Sequence, residues 1–145
     1  MPNHFHFLIQ ADERTVAPKK PGELSRNALS EGFRTLLSGY TQAINTQNET
    51  TGSLFQQNTR SKCLSETPGI YASVCFHYIH QNPWKARLVS KMENWKYSSF
   101  SDFAGFRDGT LCNKQLALEL LDLNLASFYE DSYKVIRDDA LINLF

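Results

Sequence analysis

Apolar side chains recur along this chain in two rhythms. In Pro2-Asn3-His4-Phe5-His6-Phe7-Leu8-Ile9, Phe5, Phe7 and Ile9 alternate with His4 and His6. Side chains two apart on an extended chain point to one face. The alternation predicts a strand from about Asn3 to Gln10, with an apolar face for a core and two imidazoles opposite. Further on, Leu29, Phe33, Leu36, Leu37, Tyr40 and Ile44 repeat at intervals of three and four, the spacing of one helical face. A helix is expected over Ser25 to Asn45, with Ser25 as N-cap. A polar loop with Pro18, Lys19, Lys20, Pro21 and Gly22 precedes it, and polar Thr46 to Gly52 ends it.

Two short extended pieces are expected next, at Ser53–Gln56 and Ser61–Leu64. Pro68-Gly69 then leads into a second helix, Ile70 to Gln81, in which Ile70 and Val74 are four apart and Tyr71, Cys75 and Ile79 repeat likewise. Pro83 disfavours helical geometry at Asn82 and should stop it. An aromatic loop follows at Trp95-Lys96-Tyr97-Ser98-Ser99-Phe100. Leu116, Leu120 and Leu121 mark one closing helix; Phe128, Tyr129 and Val135 suggest another. No internal repeat is visible.

At 145 residues, 41% hydrophobic and 12% aromatic, the chain suffices for one domain with a core. No stretch is apolar enough to span a membrane. Cys63, Cys75 and Cys112 are odd in number and lack metal-type spacing; reduced thiols in a cytoplasm are the simplest reading. The formal net charge is zero, which disfavours a general basic field for nucleic acid. A local track from Arg60, Lys62, Lys85, Arg87, Lys91 and Lys96 is compatible with it, as is an ordinary solvated surface.

Two imidazoles on one strand face can bind one metal ion. Tyr78 and Asn82, four apart on a helix, share a face. Tyrosine becomes a nucleophile once its phenol is deprotonated or polarised, and attack on a phosphodiester would leave a phosphotyrosine. His4, His6 and the Asn82 amide oxygen can offer three ligands to a divalent cation, manganese or magnesium, with zinc also compatible with the histidines. Each residue has a plainer reading. Tyr78 can pack at a core edge beside Tyr71 and Cys75, and Asn82 can simply end a helix. His77 and His80 can be ligands, though surface imidazoles are the plainer reading. Trp95 and Tyr97 can stack on unpaired bases or pin their loop to the core.

The segment from Met1 to Ile9 resembles the histidine–hydrophobic–histidine strand of single-tyrosine HUH transposases, above all the REP-associated tyrosine transposases. Tyr78-Ile79-His80-Gln81-Asn82-Pro83-Trp84-Lys85-Ala86-Arg87-Leu88-Val89 is similar to that family's helix and the basic stretch after it. Trp95-Lys96-Tyr97-Ser98-Ser99-Phe100 with Asp102-Phe103-Ala104-Gly105 is similar to its closing segment. Phe33 through Tyr40 and Gly52-Ser53-Leu54-Phe55-Gln56 match in order and spacing. The likeness covers residues 1–106, leaving 107–145 as a C-terminal helical extension.

The resemblance implies a ferredoxin-like α+β fold, an antiparallel sheet with the Ser25–Asn45 and Ile70–Gln81 helices packed on one face. It implies Tyr78 as nucleophile, His4, His6 and Asn82 as metal ligands, and single-stranded DNA with a nearby hairpin as substrate. A 5′-phosphotyrosine and a free 3′-hydroxyl would result, in transposition or repeat-element processing. Arg60, Lys62, Lys85 and Arg87 are the candidate phosphate contacts. Family members carry further strands before the histidine strand, whereas this sequence opens within it. The sequence is then a fragment or has a misplaced start, strands of a second copy fill the gap, or the protein is a decayed relative; the expectation is a sheet incomplete at its N-terminal side, its bare edge covered in a homodimer. A DNA-binding remnant without catalysis is the alternative, and a structural zinc site at His4, His6, His77 and His80 a third reading.

Overall fold

Helices carry this architecture, and the expected sheet does not form among the described residues. The computed structural model describes residues 4–18, 27–56, 60–64, 70–134 and 136. Among them no strand forms, and one isolated antiparallel bridge joins Pro18 to Asn27. The ferredoxin-like antiparallel sheet with helices on one face is thus corrected. A strand is stable only when a neighbour pairs with its backbone. Residues 4–10, 53–56 and 60–64 are irregular and none takes another as a ladder partner. The alternation of Phe5, Phe7 and Ile9 is real, but all three are substantially exposed.

The chain divides into two compact units, Ile9–Ser61 and Met1–Leu8 with Lys62–Phe145. In the first unit, α1 (Glu13–Val16) packs on α2 (Ala28–Asn48). The sequence pattern did not predict α1. Asp12 caps it by accepting from the Thr15 N–H at 2.8 Å, while the Asp12 N–H donates to Thr15 Oγ1 at 2.9 Å, a reciprocal capping box. Asn27 and Ser30 form the same device at the start of α2. Asn27 is therefore the cap, and Ser25 lies outside the described residues, as do Lys19, Lys20, Pro21 and Gly22. The helix runs three residues past Asn45, to a left-handed Glu49 (φ 55°). Leu29, Phe33, Leu37 and Ile44 are half-buried, whereas Leu36 and Tyr40 are exposed. Tyr40 lies 6.0 Å from the Phe55 ring.

In the second unit, α3 (Ile70–Lys85) is the axis around which α4 (Phe100–Phe103), α5 (Lys114–Leu121) and α6 (Phe128–Tyr133) gather. Pro68, Gly69 and Val135 lie outside the described residues. Phe76, Met92, Phe100, Phe103, Leu121 and Phe128 form the buried core. Leu121 and Phe128, from the stretch expected to be an extension, complete the same core as α3. Gln81, fully buried, ties α6 to α3: its Nε2 donates to the carbonyls of Ser132 (2.9 Å) and Lys134 (2.7 Å).

Helix α3 does not stop at Gln81. Pro83 sits inside its last turn. The Leu88 N–H donates to the Pro83 carbonyl and the Arg87 N–H to that of Trp84, with Arg87 left-handed at φ 58°. That is a Schellman cap, built here without glycine. Trp84 packs against the core and stands edge-on to Tyr133 at 5.3 Å. Packing on both sides of Pro83 thus outweighs its local preference against helix.

Candidate functional site

Extension of α3 through Asn82 keeps Tyr78, Asn82 and Lys85 at i, i+4 and i+7, along one helical face. The extended segment that carries His4 and His6 belongs to the same unit as α3. Asn82 Nδ2 lies 3.0 Å from His6 Nε2. The His6 and Tyr78 rings stand edge-on with centroids 6.2 Å apart, and His4 and His6 likewise at 5.0 Å. Residues far apart in sequence therefore converge: His6 and His4 from the N-terminal segment, Tyr78 and Asn82 from α3. Asn82 is 9% exposed, so its amide is committed to this cluster rather than to solvent.

Burial, then the neighbouring His4, lowers the pKa of His6 below its usual value. A neutral imidazole with Nε2 accepting suits the Asn82 amide as donor. Burial raises the Tyr78 phenol above its ordinary value, and a side-chain hydrogen bond from Asn82 pulls partly back. Among the described residues no three His, Cys, Asp or Glu side chains gather as a metal site.

Two of the three expected donors, His6 and Asn82, stand close enough to share one divalent cation. Turning the Asn82 amide over exchanges Nδ2 for Oδ1 at the same place beside His6 Nε2. Adjacent ligands around an octahedral ion at about 2.1 Å are about 3.0 Å apart, which the His6–Asn82 separation of 3.0 Å matches. Two imidazoles and an amide carry no charge, so such a set needs anionic oxygens from elsewhere.

His77 and His80 take no part. His80 is 2% exposed, not at the surface. Its Nε2 shares a 2.8 Å hydrogen bond with Ser99 Oγ, and Phe76, Phe100, Phe103 and Phe128 surround it with ring centroids 4.5–6.1 Å away. His77 Nδ1 shares a 3.0 Å hydrogen bond with Ser132 Oγ, and the ring stacks on Phe128. Both serve the core, and the four-histidine zinc site is corrected. Polarity hid this role; the signal was Phe76 at i−4 from His80, one helical turn away in a phenylalanine-rich chain.

Of the basic candidates, Lys62, Lys85 and Arg87 belong to the unit with the cluster and Arg60 to the other; all four are exposed. Lys85 follows Asn82 by three on the same face, and Arg87 occupies the cap. Trp95 is half-buried, with its ring edge-on to Tyr97 at 5.6 Å. The three cysteines form no disulfide, and among the described residues no helix is long and apolar enough to cross a membrane. In comparisons with known proteins, no family model, no curated protein and no solved structure matches this chain.

Proposed function

We propose that this chain nicks and transfers single-stranded DNA beside a hairpin, with Tyr78 as nucleophile and a divalent cation as aid, in transposition or repeat-element processing. The observation that supports this reading is the meeting of His6 and Asn82 at 3.0 Å with the Tyr78 ring alongside. The Tyr78 oxygen bonds to phosphorus, the bond from phosphorus to the 3′-oxygen of the preceding nucleotide breaks, and that oxygen leaves as a hydroxyl. The 5′ end stays on Tyr78, and attack by a 3′-hydroxyl reverses the step, so rejoining needs no external energy source.

Magnesium or manganese, held by His4, His6 and Asn82, would neutralise the phosphate and polarise it. The chain's own contribution is placement. Asn82 orients His6 and touches the phenol. Lys85, on the face of Tyr78, and Arg87 and Lys62 supply phosphate contacts that set register rather than sequence. The sheet edge that motivated a homodimer is missing among the described residues, and the chemistry does not require one.

One observation favours a second reading. Burial raises the Tyr78 phenol, which suits a DNA-binding protein that has lost catalysis. Incubation with manganese and labelled hairpin-bearing single strands, resolved on a denaturing gel, separates the two. A covalent adduct that chelator abolishes supports the enzyme. Tighter binding to these strands than to blunt duplex, with no adduct, supports the binder. Failure to bind either DNA refutes both.

A further inference from the structure

The turn Trp95-Lys96-Tyr97-Ser98 displays a tyrosine in a way that core packing does not explain. Tyr97 is 88% exposed, yet the backbone beneath it is tightly fixed. The Ser98 N–H donates to the Trp95 carbonyl at 3.1 Å, closing the turn with Tyr97 at its corner. Arg107 grips the turn on either side of Tyr97: Nη1 donates to the Lys96 carbonyl at 2.9 Å and Nη2 to the Ser98 carbonyl at 2.8 Å.

Arg107 is itself held. Its Nε and Nη2 donate to the two carboxylate oxygens of Asp102 at 2.7 and 2.6 Å, and the Asp102 side chain is 4% exposed. The Gly109 N–H donates to the same carboxylate at 2.9 Å. A Cβ on Gly109 would stand 2.5 Å from Asp102 Oδ1, so the close approach needs glycine.

A bidentate ion pair with a buried carboxylate that clamps a turn and leaves its aromatic corner in solvent is a preorganised contact, because rigid display lowers the entropy lost on binding. The Trp95 and Tyr97 rings stand edge-on with centroids 5.6 Å apart, and most of the Tyr97 ring stays open to solvent. Lys96, exposed beside it, adds a cation for a phosphate, while the Arg107 charge is already matched by Asp102. An exposed aromatic ring with a neighbouring exposed lysine is the chemistry that receives an unpaired base and its backbone. We infer that Tyr97 is a stacking platform for an unpaired base of the DNA strand. This rests on the proposed DNA chemistry and deepens it.

The test uses the full chain and an oligothymidylate of about 20 nucleotides, with an abasic strand of equal length as control. Tyr97→Ala should weaken binding roughly 5- to 100-fold, and Tyr97→Phe should stay within about twofold of wild type. The slope of affinity against salt should be unchanged in both, since no phosphate contact is removed. Abasic strand should bind wild type as weakly as oligothymidylate binds Tyr97→Ala. Equal affinity of Tyr97→Ala and wild type, or equal affinity for the abasic strand, overturns the platform and leaves the DNA reading standing. No binding of wild type to any single strand overturns both. Because Tyr97 is so exposed, unchanged circular dichroism and melting of the variant are expected; a variant that unfolds would overturn the claim that the ring serves binding rather than structure.

Discussion

Acidification should destabilise this protein through one buried ring. His80 is enclosed by Phe76, Phe100, Phe103 and Phe128, with Nε2 on Ser99 and Nδ1 without a hydrogen-bond partner among the described residues. Burial, with a smaller push from His77, brings its pKa from 6.5 down to about 3. The folded pKa is depressed, so the unfolded chain takes up a proton that the folded chain refuses. Stability is therefore full above about pH 6.5 and falls as pH drops from there towards 3. Linkage gives a loss of about 2 kcal/mol at pH 5 and about 3 kcal/mol at pH 4. Burial lowers His77 and His6 as well, so they add in the same direction, while Asp102 holds its proton affinity below the usual carboxylate range and contributes only at lower pH. Urea melts between pH 7 and 4.5, for wild type and His80→Gln, isolate the term. The variant should lose most of the slope, and the His80 ring resonances should not titrate above pH 4.5. A wild-type midpoint that is flat across this range, or an identical slope in the variant, refutes the claim that His80 is held neutral by burial.

Arg87 is left-handed at φ 58° at the end of α3, which costs a non-glycine residue about 1 kcal/mol. Arg87→Gly should therefore raise the unfolding midpoint while weakening single-strand binding and shallowing its salt dependence by about one phosphate contact; a less stable variant would contradict the cap. Manganese titrated calorimetrically should bind more tightly when a single strand is present, since the His4, His6 and Asn82 donors are neutral and need phosphate oxygens. His4→Ala and His6→Ala should each remove that binding. Affinity should decline as pH falls below about 6.5, because imidazole ligands must be deprotonated; His6, held low by burial and His4, keeps its lone pair to lower pH. Retained affinity in either variant would remove that histidine from the ligand set.

The helices were largely legible and the sheet was not, for one physical reason. Residues Leu29 to Ile44 and Tyr71 to Ile79 carry a local 3.6-residue rhythm, and helical hydrogen bonds are local too. Residues 4–10 carry a strand rhythm, but a strand's bonds depend on a distant partner that the rhythm does not specify. Helix α3 outran its predicted stop because Pro83 lies in the final turn, where Trp84 packing and the Arg87 cap hold the chain. The short α1 was missed since four residues have no period; the Asp12 and Thr15 pair was its trace. In the candidate site, the i, i+4 relation of Tyr78 and Asn82 and the i, i+2 relation of His4 and His6 were readable. That Asn82 reaches His6 is a tertiary fact. Gln81 and His80, polar by type and buried in fact, show what residue identity conceals when partners come from α6 and Ser99.

The account's central claim is that Tyr78 forms the bond to DNA. Its most direct measurement is to trap the adduct with manganese and a hairpin-bearing single strand, digest the protein and the DNA, and map the modified peptide by mass spectrometry. The account predicts a 5′-phosphonucleotide on the phenol oxygen of Tyr78, with label retained only from the 3′ side of the nick, and no modified peptide from Tyr78→Phe. A nucleotide on another residue, or an adduct that persists in Tyr78→Phe, would contradict it.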